Sequence, residues 1–487
     1  MDVVPPDPRT LPDVLARQAV LHPARVALRT PDRTLTYADL AHAMERASRT
    51  LAAWQVQAGD RVAWLGLNDP DQVILLFALA RLGAALVPLN HRLAPAEWQS
   101  LLAETRPRLL VHDTTFAAAG QALAAACGIP CHPGTAVATA GDLPAAADAA
   151  QPGAPALLVQ TSGTTGRPRA AVHTQAHLLA NLRIAAQVQA LVADDVVLTV
   201  LPLFHVGGLC IQTLPALSVG ATVLLHPRFA PEAVFDALAT ERPSLTLQVP
   251  ATMKALLDHP RWPGADLSCL RAVWAGSSLL PAPLLEAFHA RGVPVCNVYG
   301  ATESGPFSIA LGPDRARDRV GSCGWPAAGV EVHLQPDGEV WLRGPNVVER
   351  YWPDQPAVDG DGWFHTGDLA TRAADGSHTI VGRRKELIIS GGENIHPAEI
   401  EAALALHPDV LECAAFGLPD ARWGEAVAVA VVLREGAACG EDGLREHLAA
   451  RIARFKLPQR WLFVDQLPKT ALGKVQRQAL ARLADRR

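Results

Sequence analysis

No stretch of this chain is built to enter a membrane. The longest apolar run near the N-terminus, "VILLFALA", stops at Arg81, well short of the ~20 residues a spanning helix needs. The opening "MDVVPPDPRT" has neither a basic n-region nor an apolar core, which argues against a secretory signal and for a cytoplasmic protein. An excess of charge is missing too. A formal net charge of −5 over 487 residues gives no electrostatic case for nucleic acid or for a membrane surface. Of eight cysteines only Cys127 and Cys131 stand close, and no second pair accompanies them, so reduced thiols are the better reading than a zinc site. One further absence is local. "TSGTTGRPRAAVHT", residues 161–174, has no Lys-Ser or Lys-Thr after Gly166, and Arg167-Pro168-Arg169 stands there instead. That excludes the G-x-x-x-x-G-K-[ST] loop of P-loop NTPases. The glycines, hydroxyls and arginines still suit a phosphate, because glycine lets backbone N–H groups approach an anion.

What is present is a large globular protein. Hydrophobic residues make up 49% and charged residues 19%, and the length calls for two or more domains. Residues 34–113 alternate helical patterns with apolar runs such as "RVAWLGL", "AALVPLN" and "RLLVHD", the βα alternation of a parallel sheet. Residues 114–155, rich in Ala, Gly and Pro, read as a looser connection. The alternation resumes from 156 and continues to about 300. In such sheets ligands bind beyond the carboxyl ends of the strands. Four polar clusters fall there: Thr161–Arg169, His205, Gly276-Ser277-Ser278, and Tyr299–Glu303.

The texture changes near 330. "VEVHLQPDGEVWLRG" and "LATRAADGSHTIVG" read as hairpins turning at Asp337-Gly338 and Asp375-Gly376. The charged run Arg383-Arg384-Lys385-Glu386 lies between apolar strands and suits an exposed hinge, with a domain boundary at 382–386. An α+β pattern follows. The fold class read from this is α/β: a large N-terminal domain of doubly wound sheets with a β-rich subdomain, then a small mobile α+β lid.

"TSGTTGRPR", "YGATES", "WFHTGDL", "GRRKELIISGGENIHPAEIE" and "PKTALGK" occur in this order. Together they resemble the adenylate-forming superfamily of acyl- and aryl-CoA ligases, and "GGENIHP", "RWGE" and "PRAAV" resemble 4-chlorobenzoate–CoA ligase. The resemblance runs from about residue 10 to the C-terminus and implies domains 1–384 and 385–487. It implies ATP, Mg²⁺ and coenzyme A as cofactors and a small carboxylic acid as substrate, which displaces pyrophosphate to give an acyl adenylate and then a thioester. Two anions meet in the first step, so cationic and N–H groups must surround the phosphates.

The resemblance assigns roles to residues. Thr161, Ser162, Gly163, Thr164, Thr165, Gly166 and Arg169 wrap the β- and γ-phosphates. The family usually has Lys-Gly where this chain has Arg169-Ala170, which keeps the charge on a bulkier, forked group. Gly276 and Ser277 line the adenine; Tyr299, with Gly300 and Ala301 after it, stacks on it. Thr302 contacts the α-phosphate and Glu303 holds Mg²⁺, a hard cation that takes oxygen ligands. Asp368 takes the ribose hydroxyls, Arg383 lies near ribose or phosphate, and Lys474 bridges carboxylate and phosphate oxygens. Lys385 is the hinge, a position that more often carries Asp.

For the second step, "SGGEN" approaches the carbonyl, with Gly391 and Gly392 leaving room for the pantetheine arm. Trp423 and Phe455 are candidates for the nucleotide end of CoA, with core packing the equal alternative. His205 resembles a gate to the acyl pocket or is a structural histidine; Gly207-Gly208 beside it favour close approach by a ligand. Ile184, His205, Val206, Leu247, Ala275, Val298, Gly300, Gly305, Pro306 and Phe307 are the expected pocket lining. That lining has no cation for a second carboxylate, so an aromatic or medium-chain monocarboxylate is expected over malonate or o-succinylbenzoate. Two other readings stay open: transfer of the acyl group to a carrier protein instead of CoA, and a catalytically weak nucleotide-binding homologue.

Overall fold

The computed structural model describes residues 6–138, 143–161, 169–276, 280–390, 393–420, 423–437, 439–470 and 473–484, with Asn394 by its backbone alone. Ser162, Gly163, Thr164, Thr165, Gly166, Ser277, Ser278, Gly391 and Gly392, all named above, lie outside the described residues.

Apolar β-branched runs build two large sheets. One, of nine described strands, carries Val196–Thr199, Leu245–Gln248, Ala272–Gly276 and Val295–Tyr299 at its centre, all parallel. The other, of eight, carries Arg61–Leu65 and Ala85–Leu89 beside the antiparallel pair Pro155–Thr161 and Arg169–Thr174. Both faces of such parallel strands are covered, which is why they read as continuous hydrophobic runs. The run "VILLFALA" is the helix Pro70–Arg81, in which every residue from Pro70 to Ala80 is buried. A helix apolar on all sides belongs inside a core. Its residues join Val62 and Leu86 of one sheet and Val197 and Val273 of the other in a single cluster. Among the described residues no helix is long and apolar enough to cross a membrane.

The expected loose connection after 113 contains structure: a helix Ala117–Cys127, a strand Cys131–Pro133 and a short helix Gly134–Val137. Alanine is the best helix former, and the low complexity that suggested a linker is a high helix propensity. Gly128 closes the first helix at φ +65°, a left-handed C-terminal stop. All eight cysteines are free thiols.

Both hairpins form where their turns predict. Glu331–Leu334 pairs with Glu339–Arg343, and Phe364–Arg372 with His378–Arg383, in one four-stranded sheet. Gly338 and Gly376 take φ values of +86° and +84°, which a side chain would strain. A short helical turn, Arg384–Glu386, leads to the small C-terminal domain. Its sheet pairs Val410–Asp420 with Gly424–Leu433 and has a core of its own around Ile400, Val429 and Leu444.

Candidate active site

Sheet register brings the polar clusters together. Gly276 ends its strand beside Val298, one residue before Tyr299, so two clusters share one sheet edge. Thr161 lies directly opposite Arg169 across its strand pair. Asp368 lies directly opposite Arg383, and Arg383 Nε is 2.9 Å from Asp368 Oδ1. The Tyr299 hydroxyl donates to Asp368 Oδ2 at 3.0 Å. This joins the carboxylate of "TGDL" to the tyrosine of "YGATES". Asp368 is 6% exposed, and burial raises its carboxyl above the usual range; Arg383, Tyr299 and Lys474 act against that rise.

Glu303 sits in the helical turn Thr302–Ser304, which Thr302 opens. Its side chain is buried, and its Oε1 accepts a hydrogen bond of 2.8 Å from the Tyr351 hydroxyl. Burial raises this carboxyl too, opposed in part by Tyr351, Arg383 and Lys474.

Lys474 arrives from the other domain. It keeps an exposed surface, yet atoms packed around it in the cleft hold its ammonium below the usual lysine range. Burial is the first cause and Arg383 the second, while Asp368, Glu303 and Glu386 pull the other way. Residues 303, 368, 383 and 474, from four separate sequence motifs, are therefore within electrostatic reach of one another. His205 belongs to the same neighbourhood. Burial and the charge of Lys474 lower it to about 4, so it is neutral at physiological pH. Its Nδ1 accepts the Gly207 N–H at 3.0 Å, which leaves the ring proton on Nε2.

Several glycines have reasons other than a ligand. A Cβ on Gly207 would meet only the His205 ring, at 3.0 Å, whereas one on Gly208 would stand 2.4 Å from the Pro202 carbonyl oxygen, so Gly208 needs no ligand approach to explain it. Gly276 and Gly300 likewise press on the Val298 and Pro306 carbonyl oxygens, at 2.5 and 2.2 Å from a built Cβ. Most of the expected acyl lining is buried, namely Ile184, Val206, Leu247, Ala275, Val298, Gly305, Pro306 and Phe307, while His205 and Gly300 are half-buried. Register divides it, however. Leu247 pairs with Trp274, and Val298 with Gly276, whereas Ala275 pairs with Gln248 and Asn297. Paired residues share a sheet face and successive ones alternate, so Ala275 faces away from Leu247 and Val298. Gly305, at φ +65° and packed on Asn346 and Asn181, cannot serve as a simple size gauge. A leucine there would be strained by its backbone before it filled any pocket.

Trp423 and Phe455 are 40% and 46% exposed, which removes core packing as their explanation. Lys385 is exposed between two anchored neighbours. Arg384 pairs with Asp337 and, at 3.0 Å, with Glu339 of the large domain's hairpin. Glu386 pairs with Arg477 of the small domain at 2.9 Å. Glu339 also accepts the Gly367 N–H at 3.0 Å, next to Asp368. Tyr351, Glu339 and Arg477 escaped the sequence reading. Tyr351 meets Glu303 across 48 positions, and no spacing rule connects them.

The sheet edge, the buried carboxylates and the lysine delivered from a second domain define a nucleotide-handling enzyme. The chain belongs to the AMP-binding enzyme family, whose model matches residues 15–352, and the AMP-binding enzyme C-terminal domain matches 399–474. It is 42% identical to the indoleacetate–CoA ligase of Aromatoleum aromaticum, covering 98% of each chain. It is 39% identical to a feruloyl-CoA synthase of an Amycolatopsis species, covering 94% of this chain and 96% of the relative. Among solved structures it is similar to the o-succinylbenzoate–CoA synthetase of Bacillus subtilis in complex with its acyl adenylate, with TM-score 0.88 and 30% identity over 96% of this chain and 97% of that one.

Proposed function

We propose that this enzyme activates an aromatic monocarboxylic acid, an aryl-acetate or aryl-propenoate, for thioester formation. It is an AMP-forming acid–CoA ligase that uses ATP, Mg²⁺ and CoA. The observation that carries the mechanism is the Asp368–Arg383 ion pair, with Glu303 and the Lys474 ammonium within electrostatic reach of it. In our reading Asp368 takes the ribose hydroxyls and Arg383 the ribose or phosphates. Thr302 contacts the α-phosphate. Arg169 and Thr161 flank the polyphosphate. Lys474 neutralises charge as the carboxylate oxygen attacks the α-phosphorus. Glu303 fits the magnesium ion, since a hard cation takes carboxylate oxygen; burial raises this carboxyl, and Tyr351, Arg383 and Lys474 oppose the rise only in part. The ion would draw charge from the phosphate oxygens. We take residues 1–384 and 385–487 as the two domains, with Lys385 as the swivel, because Arg384 is tied to the first and Glu386 to the second. Trp423 and Phe455 offer aromatic faces to the base of CoA. A cytoplasmic setting fits an enzyme that draws on both ATP and CoA.

The acid class rests on the two aromatic monocarboxylates named for the relatives above, and the apolar Leu247 and Val298, which share one sheet face, are consistent with it. A second carboxylate buried there without a cation would cost several kcal/mol. Indole-3-acetate, phenylacetate and ferulate should exceed malonate and succinate in kcat/KM by at least about 10²-fold, roughly 3 kcal/mol. Pyrophosphate release measured across an acid panel, with and without CoA, checks this. Malonate as best substrate would sink the assignment.

A second expectation concerns pH. The free-enzyme profile of kcat/KM for ATP should have an alkaline limb below the ordinary lysine value, because Lys474 loses its charge as pH rises through a lowered pKa. Lys474→Arg, which stays charged, should remove that limb even if its absolute rate is lower. A limb unchanged in Lys474→Arg assigns it to another group.

A further inference from the structure

The segment "ERYWPD" has no role in the account so far, yet its tyrosine stands between two groups of the phosphate site. Tyr351 is 7% exposed. Its hydroxyl donates to Glu303 Oε1 at 2.8 Å, and the Arg169 guanidinium carbon lies 5.3 Å from its ring centroid. The backbone fixes it in place: Tyr351 pairs with Ala171, two residues beyond Arg169, and the Trp352 N–H donates to the Ala170 carbonyl at 2.8 Å. From the other side, the Val348 N–H donates to the Glu303 carbonyl at 2.8 Å. One short segment therefore ties the strand leaving "TSGTTGRPR" to the turn that carries Glu303.

We propose that Tyr351 is a positioning residue for the magnesium–polyphosphate site, orienting Glu303 through its hydroxyl and Arg169 through its ring. The proposal rests on the reading of Glu303 as the magnesium ligand. The hydroxyl bond to Oε1 fixes the orientation of the carboxylate that would hold the cation. The ring accounts for arginine at 169. A planar guanidinium gains from an aromatic face and offers several N–H donors to a neighbouring hydroxyl, whereas a lysine ammonium is a compact point charge on a flexible stem. Tyr351 and Arg169 thus act as a matched pair, and the departure from Lys at that position has a structural partner.

The two arms separate by substitution. Tyr351→Phe keeps the ring and removes the hydroxyl. By calorimetry on the full chain, its affinity for ATP should fall about tenfold with Mg²⁺ present, the scale of one hydrogen bond to a charged group. Its affinity for ATP in EDTA should fall by less than in Mg²⁺, since the ring under Arg169 remains although the hydroxyl that also faces Arg169 is lost. Arg169→Lys should weaken ATP binding about fivefold with or without Mg²⁺, and that loss should largely vanish when Tyr351 is already Leu, as expected for a coupled pair. Thermal unfolding of each variant identifies any that merely fails to fold. Glu303→Gln separates the two levels of the argument. If it leaves Mg-dependent binding intact, the reading of Glu303 is wrong. If it abolishes that dependence while Tyr351→Phe changes nothing, Tyr351 has no positioning role and the proposal falls.

Discussion

Lys474→Ala should slow formation of the acyl adenylate by about 10²- to 10³-fold, the scale for losing one preorganised charged donor at a developing negative centre. The fold should survive. The turn that presents Lys474 is held by its backbone: the Thr470 N–H donates to the Lys474 carbonyl at 2.7 Å, and the Lys474 N–H to Thr470 Oγ1 at 3.2 Å. Neither bond uses the ammonium. The loss should also be confined to one step. Lys474 lies close to the C-terminus, whereas the "SGGEN" segment follows the hinge directly, so one lid orientation is poorly placed to offer both to the same carbonyl. Given a pre-made acyl adenylate, the variant should form thioester at a rate within a fewfold of the unsubstituted enzyme. Rapid-quench measurement of the two half-reactions decides this, and equal damage to both contradicts a lid that presents different faces in turn.

The second large effect belongs to the hinge. Lys385→Pro should leave adenylation standing and reduce thioester formation by about a hundredfold or more, because a fixed φ near −65° denies the backbone a second pose. Lys385 lies in the first turn of the short helical segment Arg384–Glu386, a place where proline is accepted. The side chains on either side explain why rotation would concentrate at this residue: Arg384 is held by Glu339, Glu386 by Arg477. Equal rates of acyl-CoA formation in the proline and unsubstituted enzymes would place the swivel elsewhere.

Much of this was legible in the chain because it is local. The hairpins at Gly338 and Gly376 announce themselves through Asp-Gly turns that need a positive φ. The helix 70–81 shows itself in an unbroken apolar run, though only the two sheets around it explain why no polar face is present. Asp368, Glu303, Arg383 and Lys474 stand in ordered motifs; Asp368 pairs with Arg383, and all three lie within electrostatic reach of Lys474. What stayed hidden is long-range or chemically ordinary. Tyr351 touches Glu303 only because strand pairing folds a distant segment onto Ala171. Alanine-rich residues 117–127 looked like a linker because a good helix former and a featureless sequence are the same thing at the level of composition. The pair Gly207-Gly208 looked like space kept for a ligand, and the crowding of Gly208 by the Pro202 carbonyl is visible only in three dimensions. The side of the sheet that Ala275 faces depends on register, which no single strand encodes.

The central claim is a two-step ligation through an enzyme-bound acyl adenylate. It is tested most directly by incubating the enzyme with indole-3-acetate and Mg·ATP without CoA, identifying the bound species by mass spectrometry, then adding CoA. The account predicts pyrophosphate release that depends on the acid, a bound acyl adenylate in near-stoichiometric amount, and its conversion on addition of CoA to acyl-CoA and AMP. Release of ADP and phosphate, or an adenylate that persists when CoA is added, would contradict it.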